Sequence, residues 1–275
     1  MGSVHDDTVS TFETRYKPNI QQGEAMIERL LAGLAIAGLM TVAAQAAAPD
    51  VPPAPGITIS PPADPFARFA TEIKAFERAD AQFDAMADET MFVGSSSIRL
   101  WDISHSFPSH TALNRGFGGA TTPDVLHYYE QVVGDHDPAT VVVYVGENDI
   151  AAGAEPVQVI RDVSKLLARI RADEPNARIV YLSMKPSPSR WELWDEMVEV
   201  NRAMAARAGQ AAGFDYLDVA SAMLTKEGKP DAGLFGLDGL HMNARGYAVW
   251  TGAVEAWLKA PRNARPIESA TRTTS

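Results

Sequence analysis

Apolar residues in the middle of the chain follow two patterns, short continuous runs and longer stretches with helical spacing. Residues 139–145 have the sequence ATVVVYV, a mostly β-branched run without polar alternation. Such a run is typical of a strand that is buried on both faces of a parallel sheet. Residues 155–172 instead repeat apolar positions every three or four residues, which predicts an amphipathic helix. Strands and helices are therefore expected to alternate along the chain.

The same two patterns recur on either side of this pair. Strands are predicted at residues 90–94, 111–115, 139–145, 177–184 and 214–219. Helices are predicted at residues 66–76, 123–133, 155–172, 191–208 and 244–258. Alternation of this kind builds βαβ units, and hence a parallel sheet covered by helices on both faces. We therefore predict an α/β fold, a flavodoxin-like three-layer α/β/α sandwich with a parallel sheet of about five strands.

Residues 1–46 have the features of a leader that contains a signal peptide. Residues 30–44 are fifteen uncharged, mostly apolar positions, too few for a comfortable membrane span but enough for the core of a signal peptide. Ala44-Gln45-Ala46 fits a signal-peptidase site, which makes Ala47 the first mature residue. Met26 would begin a signal of ordinary length and is the expected initiator. The alternatives for the apolar segment are a buried core helix or an uncleaved anchor. If the signal is cleaved, we expect a periplasmic or secreted protein without a stable membrane span.

Two further segments differ in composition from the predicted domain. Residues 47–62 contain six prolines in sixteen positions, which predicts an extended linker. Residues 261–275 are polar with scattered arginines and are predicted to form a disordered tail. The remaining segment, 63–260, has the length of one domain.

Composition and charge exclude several classes of function. The 275 residues are 46% hydrophobic and 21% charged, an ordinary globular composition. The chain has no cysteine, which excludes disulfides, thiolate metal sites and a cysteine nucleophile. A net charge of −11 without any Lys/Arg run argues against a nucleic-acid partner. The six histidines are scattered and form no metal motif, so we expect neither a metal nor an organic cofactor; the oligomeric state is not predicted.

Polar and glycine-rich segments follow the predicted strands, where ligands bind in parallel α/β sheets. The sequence is GSSS at 94–97, NRGFGGAT at 114–121 and GEND at 146–149, and DGLHMN follows the last strand at 238–243. Together they contain a serine nucleophile, a histidine base, a carboxylate and several hydrogen-bond donors. These are the groups that acyl transfer requires.

In this order the segments resemble the sequence blocks of the SGNH/GDSL hydrolases, over about residues 68–258. FVGSSSIRLW at 92–101 is similar to the first block, NRGFGG at 114–119 to the second, GEND to the third and DGLHMN to the last. KPSPSRW at 185–191 is similar to a segment of the subfamily related to platelet-activating-factor acetylhydrolases. The resemblance implies a serine esterase or lipase with the fold predicted above.

The resemblance also selects one of three adjacent serines. Ser95, Ser96 and Ser97 all qualify by type. When Trp101 is aligned with the first block of the family, Ser96 falls at the position of the nucleophile. The family often has an aspartate directly before the nucleophile, where this chain has Ser95. The carboxylate that the family often has at this position is therefore missing, and the expected chemistry does not require it.

The mechanism implied by the resemblance uses five residues. His241 removes the proton of Ser96 as the serine attacks an ester carbonyl, and Asp238 holds the imidazole tautomer. The developing oxyanion is expected to meet the backbone N–H groups of Ser96 and Gly119 and the side-chain amide of Asn148. The expected substrate is a small-molecule or glycan ester, namely a short-acyl ester, a lysophospholipid or an acetylated sugar.

Other interpretations explain fewer of these features. The order serine, aspartate, histidine also occurs in α/β-hydrolases, but their G-x-S-x-G elbow is missing because Ile98 stands two residues after Ser96. A catalytically silent, flavodoxin-like module that binds a glycan or a phosphate ligand would leave the Asp238/His241 pair unexplained. Trp191 and Trp194, three residues apart, could form a substrate platform, although such pairs on helices more often pack.

Overall fold

The computed structural model describes residues 64, 66–82, 89–134, 136–209 and 213–261. The predicted leader and signal peptide, the linker at 47–62 and residues 262–275 of the predicted tail lie outside the described residues. None of the helices among the described residues is long and apolar enough to cross a membrane.

A parallel sheet of five strands forms the centre of the domain. Its strands run in the spatial order β2-β1-β3-β4-β5, and every neighbouring pair is parallel. The strands are β1 (Thr90–Gly94), β2 (Ala112–Gly116), β3 (Thr140–Tyr144), β4 (Arg178–Leu182) and β5 (Asp215–Leu217). The prediction of a parallel sheet of about five strands is confirmed.

Helices connect the strands and cover both faces of the sheet, so the predicted three-layer α/β/α architecture is also confirmed. The α-helices are α1 (Ala70–Asp80), α2 (Ser96–Arg99), α3 (Ile103–Ser106), α4 (Thr122–His127), α5 (Tyr129–Val132), α6 (Glu147–Ala151), α7 (Pro156–Asp173), α8 (Trp194–Arg207) and α9 (Ala244–Lys259). Short 3₁₀ turns lie at Ala67–Phe69, Pro188–Leu193, Ser221–Met223 and Ala232–Leu234.

Two predicted helices differ from the observed ones. The helix predicted at 123–133 is divided into α4 and α5 at Tyr128, whose ψ of 23° leaves the helical range. The Tyr128 hydroxyl donates to the Phe66 carbonyl at 3.0 Å, so a contact outside the helix coincides with the break. The helix predicted from 191 begins only at Trp194, because a 3₁₀ turn with non-helical angles at Arg190 precedes it. The strands after β1 end or begin one or two residues away from their predicted limits.

Both faces of β3 are buried, as its continuous apolar sequence predicts. Val141, Val142, Val143 and Tyr144 have no exposed surface. Val142 and Tyr144 face a cluster that includes Trp250 of α9, and the alternate residues Val141 and Val143 point to the opposite face. A strand buried in this way fixes the position of whatever follows its carboxyl end.

The chain changes direction between β1 and β3, and this position locates the candidate site. β1 and β3 are neighbours, but the chain leaves β1 towards β2 at one edge and reaches β4 and β5 on the other side. A crevice opens at such a point outside the carboxyl ends of the strands, where ligands bind in open α/β sheets. Helix α2, which begins with Ser96, and helix α6, which contains Asn148, start at this crevice.

Candidate active site

The turn after β1 brings the backbone into direct contact with β3. Gly94 has a φ of +154°, and a Cβ atom added there would lie 1.9 Å from the carbonyl oxygen of Tyr144. The next residue, Ser95, donates its N–H to the same carbonyl at 3.2 Å. Only glycine allows this close approach, and the turn that it permits positions Ser96 at the start of α2.

The three adjacent serines have different environments. Ser95 and Ser97 are buried, whereas Ser96 is half-buried. The Ser96 Oγ lies 3.0 Å from Nε2 of His241. On the other side, the Tyr247 hydroxyl donates to the Ser97 carbonyl at 3.0 Å and ties the segment to α9. Ser96 is thus the serine whose side chain reaches the histidine.

Asp238 and His241 lie on one tight turn, three residues apart, as their spacing predicts. The Asp238 Oδ2 is 2.6 Å from His241 Nδ1, and Oδ1 accepts the backbone N–H groups of Leu240 and His241 at 3.0 Å each. The Leu240 N–H, the His241 ring and the His241 N–H lower the pKa of Asp238 to about 2. The carboxylate therefore only accepts hydrogen bonds at neutral pH, so Nδ1 carries the proton and a neutral ring presents Nε2 as an acceptor to Ser96.

Asn243 fixes the loop that contains Asp238 and His241. Its side-chain Nδ2 donates to the carbonyls of Gly233 and Phe235 at 2.9 Å each. Its Oδ1 accepts the N–H groups of Arg245 and Gly246 and so caps α9. Sequence reasoning gave Asn243 no role, although an asparagine directly before a predicted helix is a typical N-cap signal.

Two of the predicted donors are backbone N–H groups, those of Ser96 and Gly119. The N–H groups of Ser96 and Gly119 donate to none of the residues that the structure describes. Gly119 has a φ of +75°, and the adjacent Gly118 N–H is held by the Glu72 carboxylate at 3.1 Å. The loop is thus held at Gly118, one residue before the N–H group of Gly119.

The third predicted donor, Asn148, has both ends of its side-chain amide in contact with protein. Nδ2 donates to the Ala120 carbonyl at 2.9 Å, and Oδ1 accepts from Nη2 of Arg190 at 2.9 Å. One N–H of the Nδ2 group is left over by this arrangement. The structure therefore brings the amide, the loop that contains Gly119 and the 3₁₀ turn of Arg190 together at the crevice.

A buried charged cluster behind Asn148 was missed by sequence reasoning. Glu147 lies 2.5 Å from the Lys185 Nζ and 3.2 Å from the Arg190 Nη1, and it accepts the Tyr144 hydroxyl at 2.5 Å. Burial alone would raise the pKa of Glu147, but Lys185 and Arg190 hold that pKa below its ordinary value. Burial lowers the pKa of Lys185, and the adjacent Glu147 carboxylate compensates its charge. A glutamate inside GEND and a lysine 38 positions later gave no signal for this pair.

The two tryptophans near the site pack against each other. The rings of Trp191 and Trp194 are stacked with centroids 5.8 Å apart, and Trp194 is buried. This arrangement favours the packing interpretation for Trp194. Among the residues that the structure describes, no three His, Asp or Glu side chains are grouped so that they could hold a metal ion.

Solved structures of similar fold support the architecture. The chain superimposes with a TM-score of 0.63 on a protein of Streptococcus pneumonia provisionally described as a platelet activating factor, at 18% identity over 70% of this chain and 94% of the other. A GDSL-like lipase from Bacteroides thetaiotaomicron gives a TM-score of 0.57 at 20% identity, over 70% and 97% of the chains. A variant of an acetyl-xylooligosaccharide esterase from Geobacillus Stearmophilus gives 0.52 at 14% identity, over 66% and 99%. At these identities the likeness shows the fold alone.

A family model identifies the chain more directly. No curated protein sequence matches it significantly, but the model of the GDSL-like lipase/acylhydrolase family matches residues 100–249. That range contains Gly119, Asn148, Asp238 and His241 but begins just after Ser96. The match therefore does not identify the serine, and the evidence for Ser96 is its contact with His241. Since the match covers more than half of the chain, this protein belongs to the GDSL-like lipase/acylhydrolase family of ester hydrolases.

Proposed function

We propose that this protein is a serine ester hydrolase that forms an acyl-enzyme on Ser96. The observation that supports the proposal best is the 3.0 Å contact between Ser96 Oγ and His241 Nε2, which joins residues 145 positions apart. Hydrogen-bond distance between a nucleophile and a base, with the base oriented by a third group, is the expected arrangement for an activated serine. Asp238, 2.6 Å from the other ring nitrogen, is that third group.

In the proposed reaction these atoms act in two successive steps, acylation and deacylation. The Ser96 oxygen attacks the carbonyl carbon of the ester while its proton moves to His241 Nε2. The tetrahedral intermediate then collapses, and the alcohol leaves with the proton from Nε2. Water attacks the acyl-enzyme in the same way and gives its proton to His241, and the carboxylic acid is released as Ser96 regains a proton. Asp238 stays ionised and stabilises the imidazolium throughout.

Three donors are proposed to stabilise the negative charge on the carbonyl oxygen. The backbone N–H groups of Ser96 and Gly119 lack protein acceptors among the described residues, and Asn148 has one N–H left over on its side-chain amide. Fixed donors of this kind act where charge develops, without reorganisation in the transition state.

The substrate is proposed to be a short-acyl ester, a lysophospholipid or an acetylated sugar. The Asp238 side chain is 51% exposed and Leu237 beside it is fully exposed, which leaves room for a large alcohol on this side. The Geobacillus esterase of similar fold is described as acting on acetyl-xylooligosaccharide, which makes acetylated xylan a sensible test. A panel of p-nitrophenyl esters from acetyl to palmitoyl, with acetylated xylan and a lysophospholipid, identifies the class.

Covalent labelling tests the proposed nucleophile. A fluorophosphonate is expected to label Ser96 stoichiometrically, because only a base-activated serine reacts readily with it. Ser95→Ala and Ser97→Ala are matched controls that keep the label, whereas Ser96→Ala loses both label and esterase activity. An adduct mapped to Ser95 or Ser97, or no adduct on the folded protein, would contradict the proposal and favour a binding module.

Export is a separate proposal that rests on the sequence alone. The apolar residues 30–44 and the Ala44-Gln45-Ala46 site support cleavage before Ala47. N-terminal sequencing of protein from the periplasm or culture medium tests it. Cytoplasmic protein that retains residue 30 would overturn it.

A further inference from the structure

Arg190 contacts two consecutive residues at the start of α6, which follows β3. Its Nη1 is 3.2 Å from the Glu147 Oε1, and its Nη2 donates to the Asn148 Oδ1 at 2.9 Å. The guanidinium is planar and holds its donors in a fixed fork. One side chain therefore determines the relative position of a buried carboxylate and the amide that faces the crevice.

The chemistry of its two contacts fixes which way round the Asn148 amide stands. A guanidinium has donors only, so the amide end that faces Arg190 must be the oxygen. The Ala120 carbonyl has acceptors only, so the end that faces it must be Nδ2, at 2.9 Å. Without Arg190, a single hydrogen bond would hold the amide, and its oxygen could turn towards the crevice.

The guanidinium also affects the strength of the amide as a donor. A hydrogen bond from a cation to the amide oxygen draws electron density from the nitrogen, and hydrogen bonds in chains strengthen one another. This polarisation makes the remaining Nδ2–H of Asn148 a stronger hydrogen-bond donor. Arg190 therefore acts on the crevice through Asn148 rather than by contact with the reacting atoms.

The segment 185–191, which contains Arg190, is anchored to two parts of the site. Lys185 begins the segment and is buried against Glu147. Ser189, directly before Arg190, donates its N–H to the Gly239 carbonyl at 3.0 Å, inside the turn that contains Asp238 and His241. The segment thus joins the start of α6, which contains Asn148, to the turn that contains His241.

We propose that Arg190 is a positioning residue for ester hydrolysis, which orients and polarises the Asn148 amide for the transition state. The inference rests on the proposed function, because it assigns Arg190 a role only if Asn148 stabilises the oxyanion. The inference predicts that the contribution of Arg190 to kcat is present only when Asn148 is present.

A double-mutant cycle on the full chain tests this dependence with a p-nitrophenyl ester. Arg190→Ala is expected to lower kcat by about 10- to 100-fold with little change in KM, part of the effect of losing a whole oxyanion donor. In the Asn148→Ala background the same change should lower kcat by no more than about 3-fold, because residues that act as a unit are not additive. Arg190→Lys, which keeps one charged donor, should recover part of the loss, and Arg161→Ala, an exposed arginine on α7, should change nothing.

The outcomes separate this inference from the proposed function. Equal losses of kcat from Arg190→Ala in both backgrounds would show a general structural role and overturn the inference, while fluorophosphonate labelling of Ser96 would still support the hydrolase. Full activity of Asn148→Ala would overturn the inference together with the oxyanion role of Asn148, whereas no labelling of Ser96 in the folded protein would overturn the proposed function. If Arg190→Ala does not fold, Arg190→Lys and Arg190→Gln take its place in the cycle, and equal losses in both backgrounds overturn the inference in the same way.

Discussion

Asp149 accepts the backbone N–H of Thr122 with both oxygens of its carboxylate, at 3.0 Å each. The contact ties the first residue of α4 to helix α6. Because Gly119 lies just before α4 and Asn148 lies within α6, Asp149 fixes the distance between two of the proposed oxyanion donors. It is buried, and burial raises its pKa to about 6, partly offset by the hydrogen bonds from Thr122.

The raised pKa predicts a pH-dependent effect of Asp149→Asn. The folded state holds the proton more tightly than the unfolded state, so the stability from this group is complete below about pH 4 and is lost as the pH rises through about 6. Relative to the natural chain, the neutral variant should gain free energy of unfolding between pH 5 and pH 8, by at most about 3 kcal/mol.

Urea unfolding of both proteins at pH 5 and pH 8 measures this difference. The difference between the two proteins removes the contribution of all other titrating groups. The assignment to Asp149 is contradicted if the difference in free energy of unfolding between the two proteins is the same at both pH values. It is also contradicted if the variant loses stability relative to the natural chain as the pH rises.

The ionisation of the Asp238–His241 pair predicts the pH profile of activity. The pKa of Asp238 is lowered to about 2, so its carboxylate is charged throughout the range in which the protein can be assayed. A histidine acts as a general base only in its neutral form. We therefore expect kcat/KM to rise with pH as one group loses its proton, and to show no second ionisation from Asp238.

Asp238→Asn tests the same pair directly. Loss of the carboxylate should lower kcat by about 10²- to 10⁴-fold, because the imidazole tautomer is no longer held and the imidazolium is no longer stabilised. Asp231→Asn is the matched control: Asp231 only caps a turn in the same loop, through Gly233 N–H at 2.9 Å, and an asparagine can do the same. A flat pH profile from 5 to 9 with chemistry rate-limiting contradicts the role of His241.

Local patterns were sufficient to predict the sheet and the chain segments at its edge. The buried strand ATVVVYV, the glycine that ends β1 and the polar segments after the strands are features of neighbouring residues, and parallel topology brings strand ends together. Three serines in a row are alike in sequence, however. Their burial and the contact of Ser96 with His241 are properties of the folded chain only, and the roles of these residues stay predictions.

The contacts behind the site could not be predicted because they join distant segments. Nothing in the sequence around Glu147 shows that a lysine 38 residues later will be buried against it. The interruption of the helix at Tyr128 likewise coincides with a hydrogen bond to Phe66, 62 positions away. The pattern KPSPSRW at 185–191 marked a segment of interest but did not show that Arg190 would meet Asn148.

The buried Glu147–Lys185 pair predicts strongly non-additive effects on stability. Lys185→Met leaves a carboxylate buried without its closest cation and should cost about 3–5 kcal/mol of unfolding free energy. The double variant Glu147→Gln/Lys185→Met removes both charges, keeps an oxygen for Arg190, and should recover most of that loss. Lys165→Met, on the exposed side of α7, is the control and should change little. Urea unfolding is measured on the natural chain, on the single variants Glu147→Gln and Lys185→Met, on the double variant and on the control. A double variant as unstable as the sum of the two singles would falsify the pairing.

The last prediction concerns Asn148, whose side chain has both a structural and a proposed catalytic contact. Asn148→Ala removes the amide and leaves the Ala120 carbonyl and Arg190 Nη2 without their partner, at a cost of about 1–3 kcal/mol of unfolding free energy. The loss of one oxyanion donor should lower kcat by about 10²- to 10³-fold. KM should change little, because the lost bond forms fully only in the transition state.

Asn148→Asp separates the two contacts. An aspartate keeps an oxygen for Arg190 but has no N–H for the oxyanion, and its charge opposes the developing negative charge. Its kcat should therefore fall at least as far as that of Asn148→Ala, although the Arg190 contact survives. Measurement of kcat, KM and unfolding on the same preparations decides the matter: near-normal kcat in folded Asn148→Asp would remove Asn148 from the oxyanion site and leave the backbone N–H groups of Ser96 and Gly119 as its donors.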